Sequence, residues 1–209
     1  DGGKTFTSIS KENVHSDHQF IWVNPKLKGH LINGNDGGIN ITYDNGENWI
    51  KNNQPAVGQF YAINVDNQKP YNVYGGLQDN GSWYAPSFAN GGISAKHWSP
   101  VGQGDGFRVY KHPTKNIIYS EMRGAENVWR YDVDNKLVKT IQPLPKKGHA
   151  KLRFNWNAPM AISNHQPDRF YMGSQFLHKS EDMGESWTII SPDLTTNDKS
   201  KQEQENSGG

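Results

Sequence analysis

The chain has 209 residues, enough for one large domain or two small ones, and 11% of them are Phe, Trp or Tyr, an aromatic content that a disordered chain lacks. Lys and Arg number 22 against 21 Asp and Glu, and the net charge of +1 gives no strong field toward nucleic acid or an anionic membrane. The longest apolar stretches, such as 20–23 and 158–162, are far too short for a transmembrane helix, and the absence of Cys excludes disulfides and thiolate chemistry. With 22 Gly, 11 Pro and many Asn, the sequence reads as numerous short elements joined by turns.

In chain order, the sequence opens on the turn Asp1-Gly2-Gly3-Lys4. Short strands are expected at 20–23, 30–32, 39–42 and 49–50, then at 60–65, 72–75, 82–85 and 97–101. The cycle returns at 107–110, 116–120, 127–131 and 138–141, and again at 159–163, 169–173, 176–179 and 187–190. First strands begin near 20, 60, 107 and 159, and a period of that size suits four-stranded blades. Asn24-Pro25, Lys69-Pro70, His112-Pro113 and Gln166-Pro167 mark one turn four times, just after each first strand. The polar, aperiodic stretch 200–209 closes the chain, and both ends read as those of a piece cut from a longer protein.

Three segments share one pattern. Thr42-Tyr43-Asp44-Asn45-Gly46-Glu47-Asn48-Trp49 repeats as Ser180-Glu181-Asp182-Met183-Gly184-Glu185-Ser186-Trp187, and Asp1-Gly2-Gly3-Lys4-Thr5-Phe6 is a third copy cut at its start. The common core is Asp-x-Gly-x-x-aromatic, followed by β-formers. The Asp (1, 44, 182) can accept turn N–H groups, and the Gly (3, 46, 184) supplies a positive φ. The aromatic (Phe6, Trp49, Trp187) covers the turn. This pattern resembles the Asp-box, or BNR repeat, of β-propellers. Further stretches extend the likeness: Gly34-Asn35-Asp36-Gly37-Gly38, Gly58-Gln59-Phe60-Tyr61, Gly75-Gly76-Leu77-Gln78-Asp79-Asn80-Gly81, Gly104-Asp105-Gly106-Phe107 and Arg153-Phe154-Asn155-Trp156-Asn157. With them the chain is similar to the large bacterial Asp-box propeller proteins of the glycosyl hydrolase and sortilin-like group.

The expected fold is all-β: about four consecutive blades of a larger propeller. Residues 1–10 would end a preceding blade, and 11–192 would form blades at about 11–54, 55–101, 102–143 and 144–192. Residues 193–209 would link to further blades, which become partners of this piece. The resemblance implies a secreted or periplasmic protein. It also implies a carbohydrate-active propeller, either a glycoside hydrolase or a glycan-binding module. The alternative is a non-catalytic propeller of sortilin type that binds a protein or peptide. An arginine cluster of sialidase type is not evident.

Blade topology sorts the polar motifs. The boxes join third to fourth strands at one end of each blade. Segments before each first strand, and the turns between second and third strands, lie at the other end. That end collects Asp36, Asp79 and Asp105 as candidate catalytic carboxylates, although tight turns alone also place Asp beside Gly. Gln59, Gln78, Arg153, Asn155, Trp156 and Asn157 are candidate ligand contacts, since amides, a guanidinium and aromatic rings suit a sugar's hydroxyls and face. His15, Asp17 and His18 are the residues that can hold a divalent cation, the one cofactor the sequence suggests, or can hydrogen-bond neighbouring loops instead.

Overall fold

The computed structural model describes residues 1–52 and 57–203. The expected blade boundary near 54–55 and the last residues of the 193–209 segment lie outside the described residues. The chain forms two compact units, Asp1–Val57 and Gly58–Gly209.

The fold is all-β, with four four-stranded antiparallel sheets. The first unit holds β1 (His18–Val23), β2 (Leu31–Asn35), β3 (Gly38–Thr42) and β4 (Ile50–Asn52). The second holds three sheets. These are β5 (Phe60–Val65), β6 (Asn72–Leu77), β7 (Gly81–Pro86) and β8 (Ser99–Gly102); β9 (Gly106–Lys111), β10 (Ile117–Met122), β11 (Val128–Asp132) and β12 (Leu137–Thr140); and β13 (Met160–Ile162), β14 (Phe170–Gly173), β15 (Leu177–Ser180) and β16 (Thr188–Ile189). Each sheet keeps its strands in chain order, the meander of a propeller blade. Helix among the described residues is limited to three 3₁₀ turns of one turn each.

The turn after each first strand is closed four times by one device. Asn24 Oδ1 accepts Lys26 N–H at 2.9 Å, and Asp66 Oδ1 accepts Gln68 N–H at 3.1 Å. His112 Nδ1 accepts Thr114 N–H at 3.2 Å, and Ser163 Oγ accepts His165 N–H at 3.3 Å. Four different side chains offer an acceptor two residues ahead of the N–H they bind. At the other end, β1, β5 and β9 each carry one extra residue against the neighbouring strand, opposite Asn35–Gly34, Leu77–Gly76 and Met122–Ser120 respectively. Such bulges bend the strand locally and re-aim the side chains at its start.

In the second unit the core lies between sheets. Ile118 and Val109 pack with Tyr74 and Val101 on one side of the β9–β12 sheet. Ile117, Tyr119 and Val128 pack with Met160, Phe170 and Met172 on the other. Strand β10 is therefore covered on both faces, so its sequence lacks polar alternation. The first two sheets of this unit approach backbone to backbone: a Cβ on Gly76 would lie 2.1 Å from the carbonyl carbon of Gly106. Only glycine fits there.

Both complete boxes have one geometry. The Asp accepts the N–H four residues on at 2.9 Å: Asn48 to Asp44 and Ser186 to Asp182. The hydroxyl two residues before the Asp donates to that carboxylate at 2.7 Å, Thr42 to Asp44 and Ser180 to Asp182. The same hydroxyl oxygen accepts the N–H of Gly46 at 3.0 Å and of Gly184 at 2.8 Å. Both glycines stand at φ +87°. Each box also reaches a neighbouring segment. Trp49 Nε1 donates to Ile9 O at 2.8 Å, and Trp187 Nε1 to Ile141 O at 2.7 Å. Gly46 lies against Ile9 and Gly184 against Ile141, so closely that an added Cβ would meet them at 2.8 and 2.6 Å. The box is thus a grip on an adjoining isoleucine as well as a turn.

Candidate functional site

In the second unit the segments before β9 and β13 and the β6–β7 and β10–β11 turns meet in one hydrogen-bonded strip. Asp105, 5% exposed, is its anchor. Its Oδ1 accepts Asp79 N–H at 3.0 Å and its Oδ2 faces Arg123 Nη1 at 3.3 Å. Its main-chain carbonyl accepts Arg123 N–H at 2.9 Å. Asp79 can place its amide there because it adopts φ +57° in the turn. Gly124, at φ +61°, donates its N–H to Trp156 O at 2.7 Å and so joins the next blade. The Arg123 guanidinium sits 4.8 Å from the centroid of the Trp156 ring, in cation–π contact. Trp156 itself remains 52% exposed.

Beneath the strip lies a pair absent from the candidate residues read from sequence. Glu121, on β10, is fully buried, and its nearest cation is Arg108 Nη1 on β9 at 3.5 Å. Burial pushes the Glu121 carboxyl up to about 7, although Arg108 opposes the shift. Arg108 also donates to Asn157 Oδ1 and, at 3.2 Å, to Ala158 O. It therefore ties the segment carrying Trp156 and Asn157 to the β9–β12 sheet. The one sequence signal for Glu121 was an acid inside the run Ile117-Ile118-Tyr119-Ser120-Glu121-Met122.

The other candidates fall into separate clusters. Arg153 N–H donates to Gln175 Oε1 at 2.8 Å, and its guanidinium meets Asp193 Oδ2 at 3.1 Å and Thr195 Oγ1 at 2.8 Å. Asn155 Oδ1 accepts Asn157 N–H at 3.0 Å. Gln78 N–H donates to Gln59 O at 3.0 Å.

In the first unit, Asp36 N–H donates to Asp17 O at 3.0 Å. His15 Nδ1 accepts Asp17 N–H at 3.2 Å and stands 3.8 Å from the Asp17 carboxylate. His18 turns instead to Asn33 Oδ1 at 3.1 Å. Asn33 belongs to a buried amide relay: Asn35 Nδ2 donates to Asn33 Oδ1 at 2.7 Å and to Asn40 Oδ1 at 2.8 Å. Among the described residues no group of three or more His, Asp or Glu gathers at a spacing that could hold a metal ion.

Two clefts of the second unit open at its box end. One, of about 480 Å³, is lined by residues that include Asn67, Tyr110, Lys111, Ile162 and Asn164. Another, of about 430 Å³, is lined by residues that include Lys115, Asp168, Arg169 and Glu181. The polar groups there serve one another. His112 Nδ1 accepts two N–H groups, so Nε2–H donates to Asp168 at 3.0 Å, and burial holds the His112 pKa below its ordinary value. Asp168 is held low by hydrogen bonds from Lys115 and His112. Asp44 and Asp182 are lowered to about 2 by their box partners, chiefly Asn48 and Ser186.

No family model matches the sequence, and no curated protein matches it. Solved structures similar to the chain include the following three. A GH74 xyloglucanase from Xanthomonas campestris is 15% identical, with 84% of this chain and 30% of that one covered and a TM-score of 0.47. An auxiliary nutrient binding protein from Bacteroides thetaiotaomicron is 10% identical, with 85% and 42% covered and a TM-score of 0.47. YCF48 bound to D1 peptide is 16% identical, with 94% and 61% covered and a TM-score of 0.42. The chain thus spans less than two thirds of the length of each of these structures.

Proposed function

We propose that this chain is part of an exported Asp-box propeller, and that the rim of its second unit binds a glycan without cleaving it. The observation that carries this reading is Trp156. It is a half-exposed indole braced on Arg123 and flanked in sequence by Asn155 and Asn157. An exposed ring stacks on the apolar face of a sugar, and neighbouring amides satisfy its hydroxyls. The Asp105–Arg123 contact and the Arg108 hydrogen bonds fix the ring's surroundings before any ligand arrives, which lowers the cost of binding.

Binding suits these residues better than hydrolysis. A glycosidase sets two carboxylates roughly 5–10 Å apart across the scissile bond, one of them an accessible acid. Here Asp105 has each carboxylate oxygen occupied, and Glu121, with the raised pKa of a general acid, is sealed from solvent. The test is calorimetric titration of the chain with β-glucan and xyloglucan oligosaccharides, alongside an assay for reducing sugar. Heat of binding without release of reducing ends is expected. Release of reducing ends by the chain, or binding of peptides but of no oligosaccharide, would reject this reading.

A further inference from the structure

One nitrogen of Arg108 faces three oxygen atoms. Its Nη1 donates to Asn157 Oδ1 and, at 3.2 Å, to Ala158 O, and it stands 3.5 Å from a carboxylate oxygen of Glu121. A guanidinium Nη carries two hydrogens, so the three acceptors compete for them. Asn157 and Ala158 belong to the segment before β13 that also carries Trp156. Glu121 belongs to β10, on the face that carries Ile117 and Tyr119. Ala158 and Glu121 are fully buried, so each depends on the protein for its bonds. The Arg108 side chain is 30% exposed, which leaves its guanidinium room to turn.

Which acceptors hold the guanidinium depends on the proton of Glu121. A neutral acid is a weak acceptor, and Arg108 stays with Asn157 and Ala158. A buried carboxylate needs its cation close, and an ion pair in such a site outweighs bonds from the same guanidinium to a neutral amide and carbonyl. Burial places the change of state near pH 7. The other charged or titratable groups around it are committed elsewhere. Tyr110, next on that face of β9, donates its hydroxyl to Met160 O at 3.0 Å, and burial raises its pKa. Arg123, after β10, faces Asp105 and Glu126. Arg153, in the segment before β13, is held by Asp193 and Thr195. Arg108 is therefore the group that must answer Glu121.

We propose that loss of the Glu121 proton draws Arg108 away from Asn157 and Ala158, so that the rim around Trp156 is held ready for its ligand in acid and released in alkali. Protonated Glu121 leaves Arg108 tying the Trp156 segment to the β9–β12 sheet; ionised Glu121 takes that tie for itself. By linkage, a ligand that needs the tied segment favours the protonated acid, and binding near neutral pH takes up protons. The identity of the ligand rests on the glycan reading above, whereas the exchange of partners by Arg108 does not.

The test follows the Asn157 side-chain amide and the Trp156 indole N–H by nuclear magnetic resonance from pH 5 to pH 9, without ligand, in the full chain and in Glu121→Gln. Both signals should shift with a midpoint between pH 6 and pH 8 in the unmodified chain and should lose that step in Glu121→Gln. Calorimetric titration with xyloglucan oligosaccharide should then show affinity at least threefold higher at pH 6 than at pH 8.5. At pH 7, in buffers of different ionisation enthalpy, binding to the unmodified chain should take up a fraction of a proton. Glu121→Gln should lose both effects and still bind. Signals that do not titrate, or that titrate equally in Glu121→Gln, would overturn the proposal. So would equal affinity at the two pH values in the unmodified chain. Signals that titrate as expected in a chain that binds no oligosaccharide at any pH would uphold the exchange by Arg108 and reject the glycan reading.

Discussion

The two ends of the second unit use polar groups in different proportions. At the box end many acceptors serve neighbours in sequence: Asp182 holds Ser186, His112 holds Thr114 and Lys115, and Ser163 holds His165 and Gln166, while His112 to Asp168 and Trp187 to Ile141 tie those turns to the adjoining sheet. Each such circuit closes a turn and leaves little for a ligand to use, although two clefts open there. At the rim the polar bonds cross from blade to blade: Asp79 to Asp105, Gly124 to Trp156 and Arg108 to Asn157. The box-end bonds maintain the fold, whereas the rim bonds between blades set the spacing of groups that face solvent beside Trp156. Neither of these clefts includes the braced aromatic ring, Trp156.

Substitutions can break that contrast, beginning with the largest effects. Trp187→Ala at the box end removes the grip on Ile141 and packing against Phe170, whose ring centroid lies 5.6 Å away. It should cost about 3–5 kcal/mol in denaturant unfolding. Ligand affinity per folded molecule should stay unchanged. Gly76→Ala forces a methyl into the Gly106 backbone and should cost about 3 kcal/mol or more. Because it pushes the blades apart, it should also weaken ligand binding. If Trp187→Ala weakened binding as much as Gly76→Ala, the division between the two ends would fail.

Glu121 sharpens the contrast from beneath the rim. Its folded pKa, about 7, lies above its ordinary value of 4.5. The folded state therefore binds more protons than the unfolded state between these values, and stability falls as pH rises through that window. Glu121→Gln should flatten this slope and stabilise the protein at pH 8 by on the order of 1–3 kcal/mol. Arg108 keeps its bonds to Asn157 and Ala158 in that variant, so ligand binding should persist. Thermal unfolding from pH 4 to pH 9 reads the slope; an unchanged slope would show that Glu121 does not titrate there.

The smallest effect belongs to Asp182, whose folded pKa of about 2 lies below its ordinary 3.8. Its contribution is present above pH 4 and is lost as pH falls toward 2. The carboxylate is partly exposed, so solvent screens its charge and Asp182→Asn should cost no more than about 1 kcal/mol at pH 7. The cost should vanish near pH 2. An equal cost at both pH values would mean that the charge contributes nothing.

Much of the architecture was legible in the residues. Every blade and nearly every strand follows from short β-rich runs separated by Gly, Pro and Asn, because a meander needs only local turns. The boxes were legible as turns because their hydrogen bonds span four residues. Their grip on Ile9 and Ile141 was not, since nothing near Trp49 or Trp187 marks an isoleucine some forty residues earlier as its acceptor. The turn after each first strand was read from its prolines, whereas the shared device is an acceptor supplied by Asn24, Asp66, His112 and Ser163, four chemistries with no common letter. The rim was legible as a set of residues but not as a set of contacts. Asp79 meets Asp105 through its amide rather than its carboxylate. Arg108 and Glu121 escaped notice because β10 is covered on both faces and shows no periodicity to make a buried acid stand out.

Trp156→Ala measures the rim most directly. The indole is half-exposed and outside the core, so its removal should leave thermal stability nearly unchanged. Calorimetric titration with the oligosaccharide that binds the unmodified chain best should show affinity reduced at least tenfold, about 1.4 kcal/mol. Equal affinity in the two proteins, with the fold intact, would contradict glycan recognition at Trp156.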